Sequence, residues 1–120
     1  MYSHVVRGEL YYADLDSSRG SEQSGVRPVV VIQNDVGNYY SPTTIIASLT
    51  TNIRHKHVLP THLHICARDG LRHDSIVLLE QIRTIDKVRL NQRIGKLTEY
   101  EMSIVDEKLL ISLGISAFSL

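Results

Sequence analysis

Short runs of β-branched and aromatic residues, separated by turn formers, constrain the fold of this chain more than any other feature. Proline cannot donate a hydrogen bond to a neighbouring strand, so Pro28 must lie at the start of its strand. The lengths of these runs fit strands and not helices. The six predicted strands are Glu9–Leu15, Arg27–Asn34, Thr43–Thr50, Thr61–Cys66, Ser75–Ile82 and Arg93–Leu97.

The C-terminal segment has helical spacing instead. Thr98 and Glu101 form a capping box, in which each side chain accepts a hydrogen bond from a backbone amide at the helix start. Gly114 ends the pattern, as glycine commonly does after a helix. Apolar residues recur three or four positions apart between these limits, at Met102, Val105, Leu109 and Leu113. We therefore expect a mainly β, small antiparallel barrel packed against one C-terminal α-helix.

Two connections stand out by their composition. Residues 16–25 form a polar, glycine-bounded loop that is long for a hairpin, and loops of this kind often carry function. Residues 35–42 have turn chemistry with room for one short helical turn.

The length of 120 residues predicts one domain, residues 1–120, with a single core. Cys66 is the only cysteine, which excludes a disulfide framework within one chain. The N-terminus lacks the pattern of a secretory signal, and no apolar run approaches the ~20 residues that cross a bilayer. We expect a cytoplasmic protein.

The charges are segregated although the net charge is zero. Residues 1–53 carry three basic and five acidic side chains, and residues 97–120 carry one and four. Residues 54–96 carry nine basic and four acidic side chains. This basic middle predicts a surface that faces an anion, with charges scattered evenly around a barrel as the alternative.

Several familiar chemistries lack the residues that they need. The histidines, among them the pairs His55 and His57 and His62 and His64, have no diagnostic metal-ligand spacing, so we interpret them as surface residues. The carboxylate pairs Asp14 with Asp16 and Asp69 with Asp74 have the sequence context of turns. Residues 20–25 lack the ending of a phosphate-binding loop, and no strand–turn–helix elbow supports a serine nucleophile.

Arg27 is the most informative charged residue, because it stands directly before a buried strand. Thr50 ends another predicted strand before a basic loop. If the two strands are neighbours, a guanidinium and a hydroxyl meet at one rim, where they could hold a phosphodiester. An ion pair of Arg27 with Glu22 or Asp35 is the structural alternative.

At these residues the chain resembles the MazF/PemK family of toxin ribonucleases, most closely the MazF toxins of Gram-positive bacteria. The resemblance spans about residues 6–114. The matching blocks are Arg7–Leu15, Gly20–Asn34, Asn38 with Ser41–Thr43, Leu59–His62 and Asp74–Asp86.

The resemblance implies an SH3-like barrel that forms a homodimer and cleaves single-stranded RNA at a short recognition sequence. It also implies inhibition by a MazE-like antitoxin, whose C-terminal tail occupies the RNA groove. The family's catalytic arginine and threonine map onto Arg27 and Thr50. Its RNA contacts map onto Ser21, Glu22, Gln23, Asn34, Leu59, Pro60, Ser75 and Gln81.

The reaction implied by the resemblance uses no metal and no cofactor. The 2′-hydroxyl of the RNA attacks the adjacent phosphorus and leaves a 2′,3′-cyclic phosphate and a 5′-hydroxyl. Arg27 would stabilise the transition state together with Thr50. Because arginine stays protonated, we leave the general base unassigned, with Glu22 as one candidate.

The chain departs from the family pattern at three places that bear on base preference and groove charge. They are Ser24, Ser17–Arg19 and Arg54–His57. Two other classes of function remain open: a non-catalytic binding module, which includes toxins that poison gyrase, and a dimerisation domain.

Overall fold

A computed structural model describes residues 4–16, 25–53 and 59–116. Two α-helices are present in these ranges, α1 (Asp35–Tyr40) and α2 (Glu99–Leu113), and a 3-10 turn covers Lys87–Arg89. The strands are β1 (Glu9–Asp14), β2 (Val26–Val31), β3 (Thr43–Thr50), β4 (His62–Ile65), β5 (Ser75–Asp86) and β6 (Leu90–Lys96).

The six strands form one sheet in the order β4-β5-β3-β2-β1-β6, and every neighbouring pair is antiparallel. The two edge strands are joined through a loop, because the Gly70 amide after β4 donates to the Ile94 carbonyl on β6 at 3.0 Å. A Cβ at position 70 would lie 2.9 Å from the Ile94 Cβ, so this close approach requires glycine. The predicted small antiparallel barrel with a C-terminal helix is therefore confirmed, although β4 and β6 themselves do not pair.

The two faces of the sheet carry separate apolar clusters. One contains Val30, Leu49 and Val77 and extends to Val105 on α2. The other contains Val29, Val31 and Ile46 on the opposite face. Alternation along β2 and β3 divides the side chains between the two faces, as the period of a strand requires.

Helix α2 begins as the sequence predicts. The Thr98 side chain accepts from the Glu101 amide, and the Glu101 carboxylate accepts from the Thr98 amide. Gly114 caps the C-terminus with a φ of 69°. Val105 is fully buried, whereas Leu113, the last residue of the same apolar series, is 56% exposed.

Several strand ends differ from the prediction. β2 ends at Val31, three residues before the predicted Asn34, and β5 continues four residues past Ile82. The short helical turn expected in residues 35–42 is the six-residue helix α1. β6 starts at Leu90, three residues before the predicted strand, because exposed polar residues at its start hide it from hydropathy. No helix within the described ranges is long and apolar enough to cross a membrane.

Candidate active site

Thr50 is the last residue of β3, and its side chain is almost completely buried. Its Oγ1 accepts a hydrogen bond from the Asn52 amide at 3.2 Å. The hydroxyl proton has no acceptor among the described residues, so Thr50 keeps a donor available at the end of the strand.

Arg27 is the second residue of β2 and is half-buried. β2 and β3 pair with Val29 opposite Ser48 and Val31 opposite Ile46. The same register, extended by two residues, places Arg27 opposite Thr50 on one face of the sheet. The sheet therefore places the start of β2, which carries Arg27, next to the end of β3, which carries Thr50. Asp35 lies beyond the other end of β2, so the ion pair with Asp35 considered from the sequence is excluded.

Ser75 lies on the strand next to Thr50 but faces the other side of the sheet. It is the first residue of β5, directly before Ile76, which pairs with Thr50, so its side chain has the opposite orientation to that of Thr50. Its buried Oγ donates to the His73 carbonyl at 2.9 Å. The backbone next to Thr50 and Ser75 opens into a shallow depression of about 470 Å³, which we call the site depression. It is lined by Thr51, Ile53, Ala67, Arg72, His73 and Asp74.

Arg72 and His73 are wall residues that the sequence did not single out. The only signal for them was the net positive charge of residues 54–96. Their loop is held by Arg68, whose two terminal nitrogens contact the Glu101 carboxylate at 2.5 and 2.7 Å. The hydrogen bond to Arg68 is the main cause that holds the pKa of the Glu101 carboxyl below its usual range, and it outweighs burial.

A polar cluster around the buried residues Thr61 and His62 fixes the position of Leu59 and Pro60, two residues that are predicted to contact RNA. His62 Nδ1 accepts from the Leu59 amide at 3.3 Å, so Nε2 carries the proton that it donates to Glu80 at 3.0 Å. Thr61 donates to the same carboxylate at 2.7 Å. His62 is buried, which corrects its interpretation as a surface histidine.

Burial raises the pKa of the Glu80 carboxyl, but the hydrogen bonds from Thr61 and His62 outweigh burial and lower the pKa overall. Pro60 is tied to the C-terminal helix, because its carbonyl accepts from Lys108 Nζ at 3.0 Å. Leu59 is therefore anchored by His62, and Pro60 is anchored by Lys108.

The remaining predicted contacts fall into three groups. Asn34 caps α1, where its side chain accepts from the Gly37 amide at 2.8 Å, and it lies at the opposite end of β2 from Arg27. Gln81 is half-buried in β5, where the register with β3 shifts between Leu78 and Ile82. The predicted contacts Ser21, Glu22 and Gln23 lie outside the described residues.

The acidic pairs have structural partners, and Asp16 also forms an ion pair with Arg89. Asp14 accepts from the Asp16 amide at 2.9 Å, and Asp74 accepts from the Ala67 amide at 2.8 Å. In the described ranges, no three or more His, Cys, Asp or Glu residues are grouped so that they could hold a metal ion. The donors at this end of the sheet are the Arg27 guanidinium and the Thr50 hydroxyl, which suit a phosphate group.

A small antiparallel barrel with a C-terminal helix is the architecture that the resemblance to the MazF/PemK family implies. The family profile described as "PemK-like, MazF-like toxin of type II toxin-antitoxin system" matches residues 6–113. This chain belongs to that family.

Two kinds of similarity agree with this membership. The chain is 56% identical over 115 residues to Endoribonuclease EndoA of Bacillus subtilis, covering 95% of this chain and 98% of the relative. The crystal structure of MazF from Deinococcus radiodurans has a TM-score of 0.79 at 23% identity, covering 95% and 100% of the two chains. A mycobacterial endoribonuclease in complex with its cognate antitoxin has a TM-score of 0.73 at 23% identity, covering 96% and 98%.

Proposed function

We propose that this protein is the toxin of a type II toxin–antitoxin system and cleaves single-stranded RNA at a short recognition sequence without a metal or cofactor. The observation that carries the proposal is the unused hydroxyl proton of the buried Thr50, in register with Arg27 on the neighbouring strand. The endoribonuclease name of the Bacillus relative supports RNA cleavage.

The RNA supplies its own nucleophile in this reaction. The 2′-oxygen bonds to the adjacent phosphorus as the bond from phosphorus to the 5′-oxygen breaks. The 2′-hydroxyl loses its proton and the leaving 5′-oxygen gains one, so the products are a 2′,3′-cyclic phosphate and a 5′-hydroxyl.

Arg27 and Thr50 act on the charge of the transition state. Negative charge grows on the phosphoryl oxygens, and a fixed donor at such a position commonly contributes ~2.7–4 kcal/mol. The guanidinium can contact two oxygens at once, and the Thr50 hydroxyl can donate to one. Arginine stays protonated, so we assign Arg27 to charge stabilisation and not to removal of the 2′-proton.

Further residues bind the RNA on either side of the cleaved bond. Unpaired bases are recognised through hydrogen bonds and stacking, which a small barrel of zero net charge can provide. Asn34 lies beyond the end of β2 that is opposite Arg27. A homodimer in which Asn34 contacts RNA bound to the other copy therefore fits its position best. The proposed contacts are Ser21, Glu22, Gln23, Asn34, Leu59, Pro60, Ser75 and Gln81.

The partners follow from the same proposal. We infer a homodimer of one toxin domain, residues 1–120, that acts in the cytoplasm. A MazE-like antitoxin inhibits it by laying its C-terminal tail along the RNA groove. The mycobacterial complex named above supports an antitoxin partner.

Sequencing of RNA ends after digestion of a sequence-diverse transcript in EDTA tests the proposal. We expect cuts at one recurring short sequence by the wild-type protein and barely any by Arg27→Ala. A transcript left intact by the wild-type protein would refute the enzyme and favour a non-catalytic binding module. Cleavage that needs a divalent metal would refute the mechanism.

A further inference from the structure

A second depression lies beside the site depression, and neither Arg27 nor Thr50 lines it. It has a volume of about 410 Å³, and we call it the tyrosine depression. Strands β1 and β6 and the loop after β4 form its walls, through Tyr12, Asp69, Arg72, His73, Gln92 and Ile94.

The two depressions share a wall. Arg72 and His73 line both of them. A strand of RNA that leaves the site depression over these two residues therefore reaches the tyrosine depression without crossing the core. The shared wall makes the two depressions one continuous surface at this end of the barrel.

The walls of the tyrosine depression carry donors that the fold does not use. The nearby residues Arg7, Arg68 and Arg93 do not line the depression, and each is paired with a carboxylate. Arg72, in contrast, has no hydrogen-bond or ion-pair partner among the residues that the structure describes. The side-chain amide of Gln92 is also unpaired with any described residue.

The depression also has an apolar and aromatic surface. Tyr12 packs against the core cluster that includes Leu10 and Ile94, so its ring is held in place from behind. Aromatic rings of this kind stack on unpaired bases, and an arginine beside them contacts phosphate. A ring, a free guanidinium and a free amide together match one nucleotide.

We propose that the tyrosine depression is a second nucleotide subsite, which takes one base of the bound RNA away from the cleaved bond. The base stacks on Tyr12, its polar edge faces Gln92 and Asp69, and its phosphate contacts Arg72. This inference rests on the proposed ribonuclease function. The subsite makes the affinity of the protein for RNA depend on how far the RNA extends past the cleaved bond.

The subsite is fixed in shape before RNA binds. The Gly70 amide ties the loop to Ile94, and the Arg68 guanidinium ties it to Glu101 on α2. Arg68 also exchanges backbone hydrogen bonds with Leu71 at 2.9 and 2.7 Å. A preformed wall spares the protein the entropy of ordering it on binding.

The test compares RNAs of different length around one cut site. A site mapped on a long transcript is placed in a long synthetic RNA and in versions trimmed stepwise from the 5′ or the 3′ side. For the wild-type protein we expect one trimming step on one side to raise KM by roughly tenfold, because it removes the stacked nucleotide.

The variants Tyr12→Leu and Gln92→Ala identify the depression as the cause. In both, we expect the ratio of kcat/KM between long and trimmed RNA to fall towards one, further in Tyr12→Leu. Gln92 is exposed, so Gln92→Ala remains informative if Tyr12→Leu folds poorly. Tyr100→Leu on α2 removes an exposed ring and Lys96→Gln on β6 removes an exposed charge, and both controls should keep the wild-type ratio.

The outcomes separate the two proposals. Wild-type protein that cuts no RNA would overturn the ribonuclease function itself. Wild-type protein that cuts long and trimmed RNA equally well would overturn the subsite alone. A length effect that survives unchanged in Tyr12→Leu and Gln92→Ala would also overturn the subsite.

Discussion

The two ends of β3 each carry a buried threonine, and the two threonines are used differently. Thr44 donates through Oγ1 to Asn38 Oδ1 at 2.7 Å. Asn38 Oδ1 also accepts from the side-chain amide of Gln33 at 3.0 Å, and Asn38 Nδ2 donates to the backbone carbonyl of Gln33 at 2.9 Å. Its own carbonyl accepts from the ammonium group of Lys87, so each polar group of Asn38 has a partner.

Thr50 lies about 20 Å along the same strand, at ~3.3 Å per residue. It accepts one hydrogen bond and donates none to the described residues. The next residue, Thr51, lines the site depression. The end at Thr44 thus satisfies its polar groups internally, while the end at Thr50 keeps a donor for a ligand.

This difference separates a structural end of the sheet from a functional end. Buried polar groups are normally paired, because an unpaired one costs about 1–3 kcal/mol. A buried hydroxyl with an unused proton is therefore a better indicator of a site than burial or polarity alone. Substitutions at the two ends should affect different quantities, stability at one and cleavage at the other.

Arg27→Ala should have the largest effect on cleavage. We expect kcat to fall by roughly 10²–10³-fold, because the variant loses a donor to the transition state. Arg27→Lys keeps the charge but loses the two-point contact, so its kcat should be intermediate. Single-turnover rates at a mapped cut site measure both, and an unchanged rate in Arg27→Ala would remove Arg27 from the mechanism.

Thr50→Val and Thr44→Val form a matched pair on one strand. Thr50→Val should lower the cleavage rate by about 10- to 100-fold, as expected for one hydrogen bond to a charged group, and change stability little. Thr44→Val should cost about 1–2 kcal/mol of unfolding free energy and leave the rate per folded molecule unchanged. Denaturant unfolding and single-turnover cleavage measure the two quantities. The same response in both variants would erase the distinction between the ends.

Glu101→Gln tests the anchor of the loop that walls the functional end. The folded-state pKa of Glu101 lies below the unfolded value of 4.5, so the charged pair with Arg68 stabilises the fold above pH 4.5. That contribution is lost as the pH falls through the folded-state pKa. At neutral pH we expect Glu101→Gln to lose about 1.5–3 kcal/mol.

Unfolding measured between neutral and acidic pH should show a shallower loss of stability in Glu101→Gln than in the wild type. Glu99→Gln is the matched control, because Glu99 is an exposed acid in the same first turn of α2. An equal loss of unfolding free energy between neutral and acidic pH in Glu101→Gln and the wild type would contradict the ion pair of Glu101 with Arg68.

Asn34 should give the smallest effect. Asn34→Ala removes the cap of α1 and should cost about 1 kcal/mol of stability, whereas Asn34→Asp keeps the cap. If Asn34 also binds RNA, as proposed, both variants should raise KM, and Asn34→Asp more because it adds negative charge near phosphate. A wild-type KM in Asn34→Asp would leave Asn34 as a helix cap only.

The sequence predicted most of the strands and helices but not where each of them ends. β3 was predicted with its observed bounds, since residues 43–50 are β-favouring between clear turns. β5 was cut short at Ile82, where a register shift interrupts the alternation of side chains. Leu113 follows the helical period, but the period does not show how far a helix stays in contact with a sheet.

The site was predictable only in part for a similar reason. Arg27 and Thr50 stand out as polar residues at strand ends, but whether they face each other depends on the pairing of β2 with β3. Arg72 and His73 belong to a loop whose path is set by distant partners, Glu101 and Ile94. No local pattern around these two residues records those contacts.

The ends left on a cleaved RNA test the central claim most directly. A short RNA with one mapped cut site is digested in EDTA, and the mass of each product is measured. We predict a 2′,3′-cyclic phosphate and a 5′-hydroxyl, and no cleavage when the nucleotide before the cut carries a 2′-hydrogen. Cleavage of that 2′-deoxy substrate, or a product with a 3′-hydroxyl, would contradict the account.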